Sequence, residues 1–150
     1  MADNNATPDG NLDGNLDSNS DNNSGSDKDA LVVDDNKINR IVAQRLLESL
    51  GYSCDMVNNG REAVEQLELT VYKVVLMDVQ MPELDGFEAT RLIRSSTSKV
   101  LNHEIPIIAL TAYVGDDDKA KCTAAGMNDY VSKPLVLEEL KTKLTKYVGR

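Results

Sequence analysis

Three short runs decide what this chain can fold into: "ALVVD" at 30 to 34, "KVVLMD" at 73 to 78 and "IPIIALT" at 105 to 111. Each is short for a helix and apolar almost throughout, so each reads as a strand buried on both faces. A strand of that kind needs helices above and below it, which is the arrangement of a parallel sheet inside an α/β sandwich. Two further runs, "YSCDMV" (52 to 57) and "DYVS" (129 to 132), bring the count to five, and the mixed character of the former suits a sheet edge.

Amphipathic stretches alternate with these strands. Ile38, Ile41, Val42, Leu46 and Leu50 fall on one helical stripe, and Leu140, Leu144, Tyr147 and Val148 on another near the end. The segment after Tyr113 opens "GDDDKAKC", with its acids at the positive end of a helix dipole. Gly51 and Gly126 stand where helices should stop, shortly before strands. The expected architecture is a (βα)5 unit, doubly wound, with right-handed crossovers.

Composition sets a leader apart from this body. Residues 1–29 hold seven Asp, one Lys and many Asn, Gly and Ser, for a net charge of −6, and are expected to form a disordered acidic tail or linker. Of the whole-chain charge of −9, only −3 is left for the folded domain expected over 30–150, which argues against a nucleic-acid-binding face there. The leader's "DGNLDGNLDSNSD" spaces Asp as calcium loops do, but no Glu precedes Glu48 to close such a site, and the stretch reads as solvated linker. Cys54 and Cys122 lie outside any metal-ligand spacing and read as packing residues of a chain kept in a reducing compartment. With no membrane-length apolar run and no signal-peptide pattern, a cytoplasmic chain without membrane contact is expected.

Ligands of doubly wound sheets bind beyond the carboxyl ends of the strands. There the first strand delivers Asp34 and Asp35, the third Asp78, the fourth Thr111, and the fifth leads into Lys133-Pro134. Clustered carboxylates repel one another and are tolerated chiefly with a cation, and oxygen ligands of this number suit Mg²⁺. Lys133 could then meet the charge of an incoming phosphoryl group and Thr111 donate to one of its oxygens. Asp78 would be the nucleophile, forming an acyl phosphate.

The pattern "VVDDN…LMDVQMPELDGFEAT…IIALTA…GMNDYVSKP" resembles the receiver domain of two-component response regulators, closest in wording to the receivers of hybrid histidine kinases. The resemblance implies a flavodoxin-like sheet of strand order 2-1-3-4-5. It makes Asp78 the phosphoacceptor, with Mg²⁺ held by Asp35 directly, Asp34 mainly through water, Asp78, and the backbone carbonyl of Gln80. Thr111 and Lys133 become the phosphate-sensing pair, the Lys133-Pro134 bond is implied to be cis, and Tyr130 is the switch aromatic that moves inward with the Thr111 hydroxyl. Gln80 and Tyr113 take the two variable positions that tune hydrolysis. The implied partner is a histidine kinase or a histidine phosphotransfer domain, and the implied output face is helix four, strand five and helix five. Such a chain is a signalling receiver assisting its own phosphorylation and dephosphorylation, not a conventional enzyme.

Simpler readings compete at single residues. A strand-end Asp can cap the following loop, Asp35 or Asn36 can open a helix, and Pro82 and Gly86 can merely shape the next turn. Lone His103 lies in a loop, whereas a phosphotransfer histidine belongs on a helix face. A flavodoxin-like small-molecule binder would need a phosphate-cradling loop after strand one, where "DDNKIN" offers acids. A contact-only receiver would lack Asp78 or Lys133, and both are present.

Overall fold

The computed structural model describes residues 28–82, 84–112 and 115–149. Over them the chain alternates β1 (Ala30–Val33), α1 (Lys37–Ser49), β2 (Cys54–Val57), α2 (Gly60–Leu69), β3 (Val74–Asp78), α3 (Gly86–Arg94), β4 (Ile107–Thr111), α4 (Asp116–Ala125), β5 (Asp129–Ser132) and α5 (Leu137–Val148). Every strand pair is parallel, in the order β2-β1-β3-β4-β5.

Pleating sends alternate residues of the three central strands to opposite faces. Leu31, Val33, Val75, Met77, Ile107 and Ala109 enter one apolar layer, closed by α2, α3 and α4. Ala30, Val32, Val74, Leu76, Ile108 and Leu110 enter the other, closed by α1 and α5. None of these side chains is more than 1% exposed, so both layers are dry core, each large side chain contributing about 1.5–3 kcal/mol of burial. The edge strand β2 is only partly buried, in keeping with its mixed composition.

Strand ends differ from the apolar runs where the backbone has another partner. Tyr52 donates its N–H to Leu47 at the end of α1 (2.9 Å), and Ile105 donates to Asn102 (3.4 Å), so neither joins the ladder. Asp29, counted with the leader by composition, is buried. Its carboxylate accepts from the Ser53 N–H at 3.0 Å and pairs with Lys73 at 3.2 Å. The folded body therefore takes in this last residue of the acidic stretch.

The α1 stripe is also turned from the expected one. Ala43 and Leu47 are its buried residues, with Leu46 and Leu50 packed partly against the same layer, whereas Ile38 is 66% and Val42 41% exposed. A small residue at the centre of the contact lets the helix approach β1 closely, and the stripe centres on Ala43 and Leu47 rather than on the bulkier apolar residues. The α5 stripe holds, with Leu140 and Leu144 buried and Tyr147 and Val148 packed beside them.

Helix ends are set locally. Asn36 caps α1 by accepting from Asn39 N–H (3.1 Å), and Asp85 and Glu88 form a reciprocal capping box on α3. Asp118 accepts the Gly115 N–H at 3.2 Å, so the acidic start of α4 serves its own free amides as well as the dipole. Gly126 ends α4 with φ 105°, and a Cβ there would lie 2.9 Å from Arg94 Cγ. Arg94 in turn donates to Gly126 O (3.0 Å), His103 O (2.6 Å) and Asn128 Oδ1 (2.8 Å), tying α3 to the turn before β5.

These contacts separate two glycines of similar backbone. Gly51 (φ 88°) has open space where a Cβ would go, whereas Gly126 does not. Gly51→Ala is expected to cost about 1–2 kcal/mol, the left-handed backbone penalty alone, and Gly126→Ala distinctly more. Urea denaturation of both variants checks this, and equal losses would show that Arg94 yields freely.

Candidate active site at the carboxyl edge of the sheet

The ends of four strands converge on one small volume. Asp34 follows β1, Asp78 closes β3, Thr111 closes β4, and Lys133 follows β5. Asp34, Asp78 and Thr111 are buried and Asp35 is exposed, so the acidic cluster has a sealed floor and an open rim. One carboxylate oxygen from each of Asp34, Asp35 and Asp78 lies within 4.8 Å of the others.

Lys133 reaches into this cluster. Its Nζ stands 3.0 Å from Asp78 Oδ1 and 3.2 Å from Asp34 Oδ2. The reach is fixed from behind, where Lys133 N–H donates to Thr111 O (2.8 Å). The Lys133-Pro134 peptide is cis. Burial lowers the lysine's basicity, but Asp78 and Asp34 outweigh it and hold the ammonium above its usual range.

Backbone donors orient both buried acids. Asn36 N–H donates to Asp34 Oδ1 (2.9 Å) and Gln80 N–H to Asp78 Oδ1 (3.2 Å). Arg40, on the first turn of α1, donates to the Asp34 carbonyl at 2.7 Å. Sequence reading missed Arg40 because a basic residue on an amphipathic helix carries no sign that it turns inward. Gly86 is required beside Asp78, since a Cβ there would fall 2.3 Å from the Asp78 carbonyl oxygen. Its role is structural, as its sequence context suggested.

Two features fit a hard cation. Asp34 Oδ2 has Lys133 as an ion-pair partner yet accepts no hydrogen bond, leaving a buried anionic oxygen with unused lone pairs. Asp78 is pushed up to about 6, first by burial and also by Asp34, against the pull of Lys133. Three oxygen donors at this spacing suit Mg²⁺, which takes few carboxylates and keeps water.

Beside the site lies a recess of ≈ 90 Å³ lined by Asp34, Asn39, Val42, Leu110, Lys133, Pro134 and Leu135. Exposed Gln80 flanks Asp78, while Tyr113 lies outside the described residues. Tyr130 sits on β5, partly buried against the α4 side of the core. His103 precedes β4, at the opposite end of the sheet from the carboxylates, with Nδ1 3.0 Å from Ile93 O. It is more tied down than a solvated loop residue and has no part in the site. Cys122 is buried and Cys54 half-buried, and burial pushes the Cys54 thiol up to about 11, which suits packing rather than reactivity.

A parallel α/β sheet with acids, a hydroxyl and an amine at its carboxyl edge defines a class of phosphoryl-handling modules. Residues 30–145 match the model of the response regulator receiver domain, and the chain belongs to that family. It is a receiver domain of a two-component phosphorelay. Over 79% of its length it is 38% identical to probable histidine kinase 1 of Oryza sativa subsp. indica, and over 77% it is 42% identical to hybrid signal transduction histidine kinase B of Dictyostelium discoideum. It spans only 15% and 6% of those two proteins.

Among solved structures it is similar to the receiver domain of the Pseudomonas aeruginosa sensor histidine kinase PA1611, which holds magnesium in its active-site cleft. The two are 40% identical with a TM-score of 0.72, over 85% of this chain and all of that one. It is also similar to the Saccharomyces cerevisiae receiver domain of Ssk1, crystallised with the histidine phosphotransfer protein Ypd1. That likeness is 31% identity and a TM-score of 0.70, over 83% of this chain and 91% of that one.

The raised Asp78 carboxyl gives the metal-free protein a signed pH dependence. Between about 4 and 6 the folded state holds a proton that the unfolded chain has released, so stability contributed by this group falls as pH rises through that window. Asp78→Asn removes the buried charge. In chelator at pH 7.5 it is expected to be more stable than wild type by about 1–3 kcal/mol, with the gap closing toward pH 5. Denaturant melts across pH test this, and a destabilised variant at pH 7.5 would refute it.

Proposed function

We propose that Asp78 takes a phosphoryl group from a phosphohistidine and that the resulting acyl phosphate switches the domain through Thr111 and Tyr130. The observation that supports this most is the convergence of three acids within 4.8 Å beneath the Lys133 ammonium. Asp34, Asp35 and Asp78, with the Gln80 carbonyl, would hold Mg²⁺. Bound there, the ion supplies charge neutralisation and a template for the phosphoryl oxygens.

An Asp78 carboxylate oxygen attacks phosphorus in line, the P–O bond forms as the P–N bond to the imidazole breaks, and the imidazole leaves as a stable group. Lys133, already 3.0 Å from Asp78, transfers its pairing to the phosphoryl oxygens. Thr111, at the end of the neighbouring strand, donates its hydroxyl to one of them, and Tyr130 follows into the space it leaves. The switch is then a biased two-state equilibrium.

The donor is a histidine kinase or a histidine phosphotransfer domain. Ile38 and Val42 stand exposed on α1 beside the recess and the acids, an apolar shoulder on which a partner helix can rest. Among the described residues no helix is long and apolar enough to cross a membrane, which fits a cytoplasmic relay component.

The first test is amide NMR with Mg²⁺ before and after beryllofluoride, a mimic of the acyl phosphate. Wild type is expected to shift near Thr111, Tyr130 and Lys133, and Asp78→Asn to show none of it. A wild-type spectrum that ignores both additions would leave only a contact-mediated role.

Hydrolysis carries a second expectation. Bulky Tyr113, at a position that the receiver resemblance makes hydrolysis-tuning, should hinder the attacking water. Tyr113→Ala is therefore expected to lose its phosphoryl group severalfold faster than wild type in a single-turnover decay, and a slower decay would remove that role.

A further inference from the structure

Tyr130 lies at an unusual junction. It is carried by β5, an edge strand, and its ring is met by cations from helices on opposite faces of the sheet. Lys119 Nζ of α4 is 5.3 Å from the ring centroid and Lys143 Nζ of α5 is 5.2 Å away. Both distances are within the range where an ammonium is attracted to the ring face.

The two lysines are held differently. Lys143 is fixed by Asp129, whose Oδ1 lies 2.8 Å from its Nζ and also accepts the Tyr130 N–H at 2.9 Å. Burial opposes ionisation of Asp129, but Lys143, the Tyr130 N–H and Tyr147 outweigh it and keep the carboxylate charged. Lys119 is exposed, and a hydrogen bond with the Tyr130 hydroxyl is the first cause of its raised basicity. The ring thus sits between a cation of α4 and a cation of α5.

We propose that Lys119 and Lys143 are positioning residues that hold the Tyr130 ring in the α4–α5 seam, so that the switch must draw the ring off both cations before it completes. This rests on the reading of Tyr130 as the aromatic that follows Thr111. A contact present in only one of two states shifts their balance by its own strength. The lysines thus act as a brake on the phosphorylated state of Asp78, and by linkage their removal tightens binding of any phosphoryl mimic. Asp129 sets the brake at second hand, by keeping Lys143 over the ring.

The test compares wild type with Lys143→Met, Lys119→Met, the double variant and Lys143→Arg, reading Tyr130 ring resonances and beryllofluoride affinity in Mg²⁺. Methionine keeps a flexible apolar stem and removes the cation, whereas arginine keeps a cation over the ring. Lys143→Met is expected to bind beryllofluoride about two- to fivefold more tightly. Lys119→Met should move the same way by less, the double variant further than either, and Lys143→Arg should sit near wild type. The ring resonances of the Met variants, before any addition, should lie part-way toward the beryllofluoride-bound position. A folding defect would weaken binding, so tightening cannot come from damage.

Wild type that binds beryllofluoride while both Met variants bind no more tightly overturns the brake alone. Wild type that binds none overturns the phosphoacceptor reading, and the brake's control of Asp78 with it.

Discussion

The ammonium of Lys133 makes this sheet edge possible. Two buried carboxylates close to one another repel, and burial together with the Asp34 charge pushes Asp78 up to about 6. With Nζ 3.0 Å from one and 3.2 Å from the other, the lysine offsets both charges without satisfying every oxygen. Asp34 Oδ2 keeps unused lone pairs, and Asp35 stays at the open rim. The site is thus held short of neutrality by its own residues, which is the condition under which a divalent cation can improve it.

That balance needs positional accuracy, which the sheet supplies. β1, β3 and β4 are locked into the core on both faces, so the chain positions just beyond their ends have little freedom. Asp34 and Asp78 inherit that rigidity, and the backbone amides of Asn36 and Gln80 set their rotamers. Gly86 lets α3 start against the Asp78 carbonyl, so the loop after β3 folds back tightly over the core. The same apolar runs that make strands make the mounting for the chemistry.

This explains which parts were legible in the sequence. A run that is apolar on both faces points to a strand covered on both sides, so the three central strands, and the strand-end places of Asp34, Asp78 and Thr111, followed from pattern. The α1 stripe did not, because Ile38 and Val42 match helical period as well as Ala43 and Leu47 do, and only packing decides which pair turns inward. Arg40 and Asp29 escaped for a related reason. Each is a charged residue whose partner is a backbone or side chain far along the sequence or set by a helix's rotation, and periodicity is blind to such partners. The lysines around Tyr130 come from helices on opposite faces of the sheet, so no single element's pattern reveals them.

β5 joins these two levels. Within four residues it carries Asp129 and Tyr130 at the α4–α5 seam and leads directly into Lys133 at the acids. Tyr130 pairs in register with Ala109 and Ser132 with Thr111, so β4 and β5 meet at the site and the seam at once. An edge strand has one bonded neighbour and solvent on its other side, so it can adjust at lower cost than β1 or β3. In the proposed switch a phosphoryl group on Asp78 acts on Lys133 and Thr111 together; Thr111 ends β4 and Lys133 follows β5. The buried strands hold the acids, and in the proposed switch the edge strand β5 responds to what is bound to them.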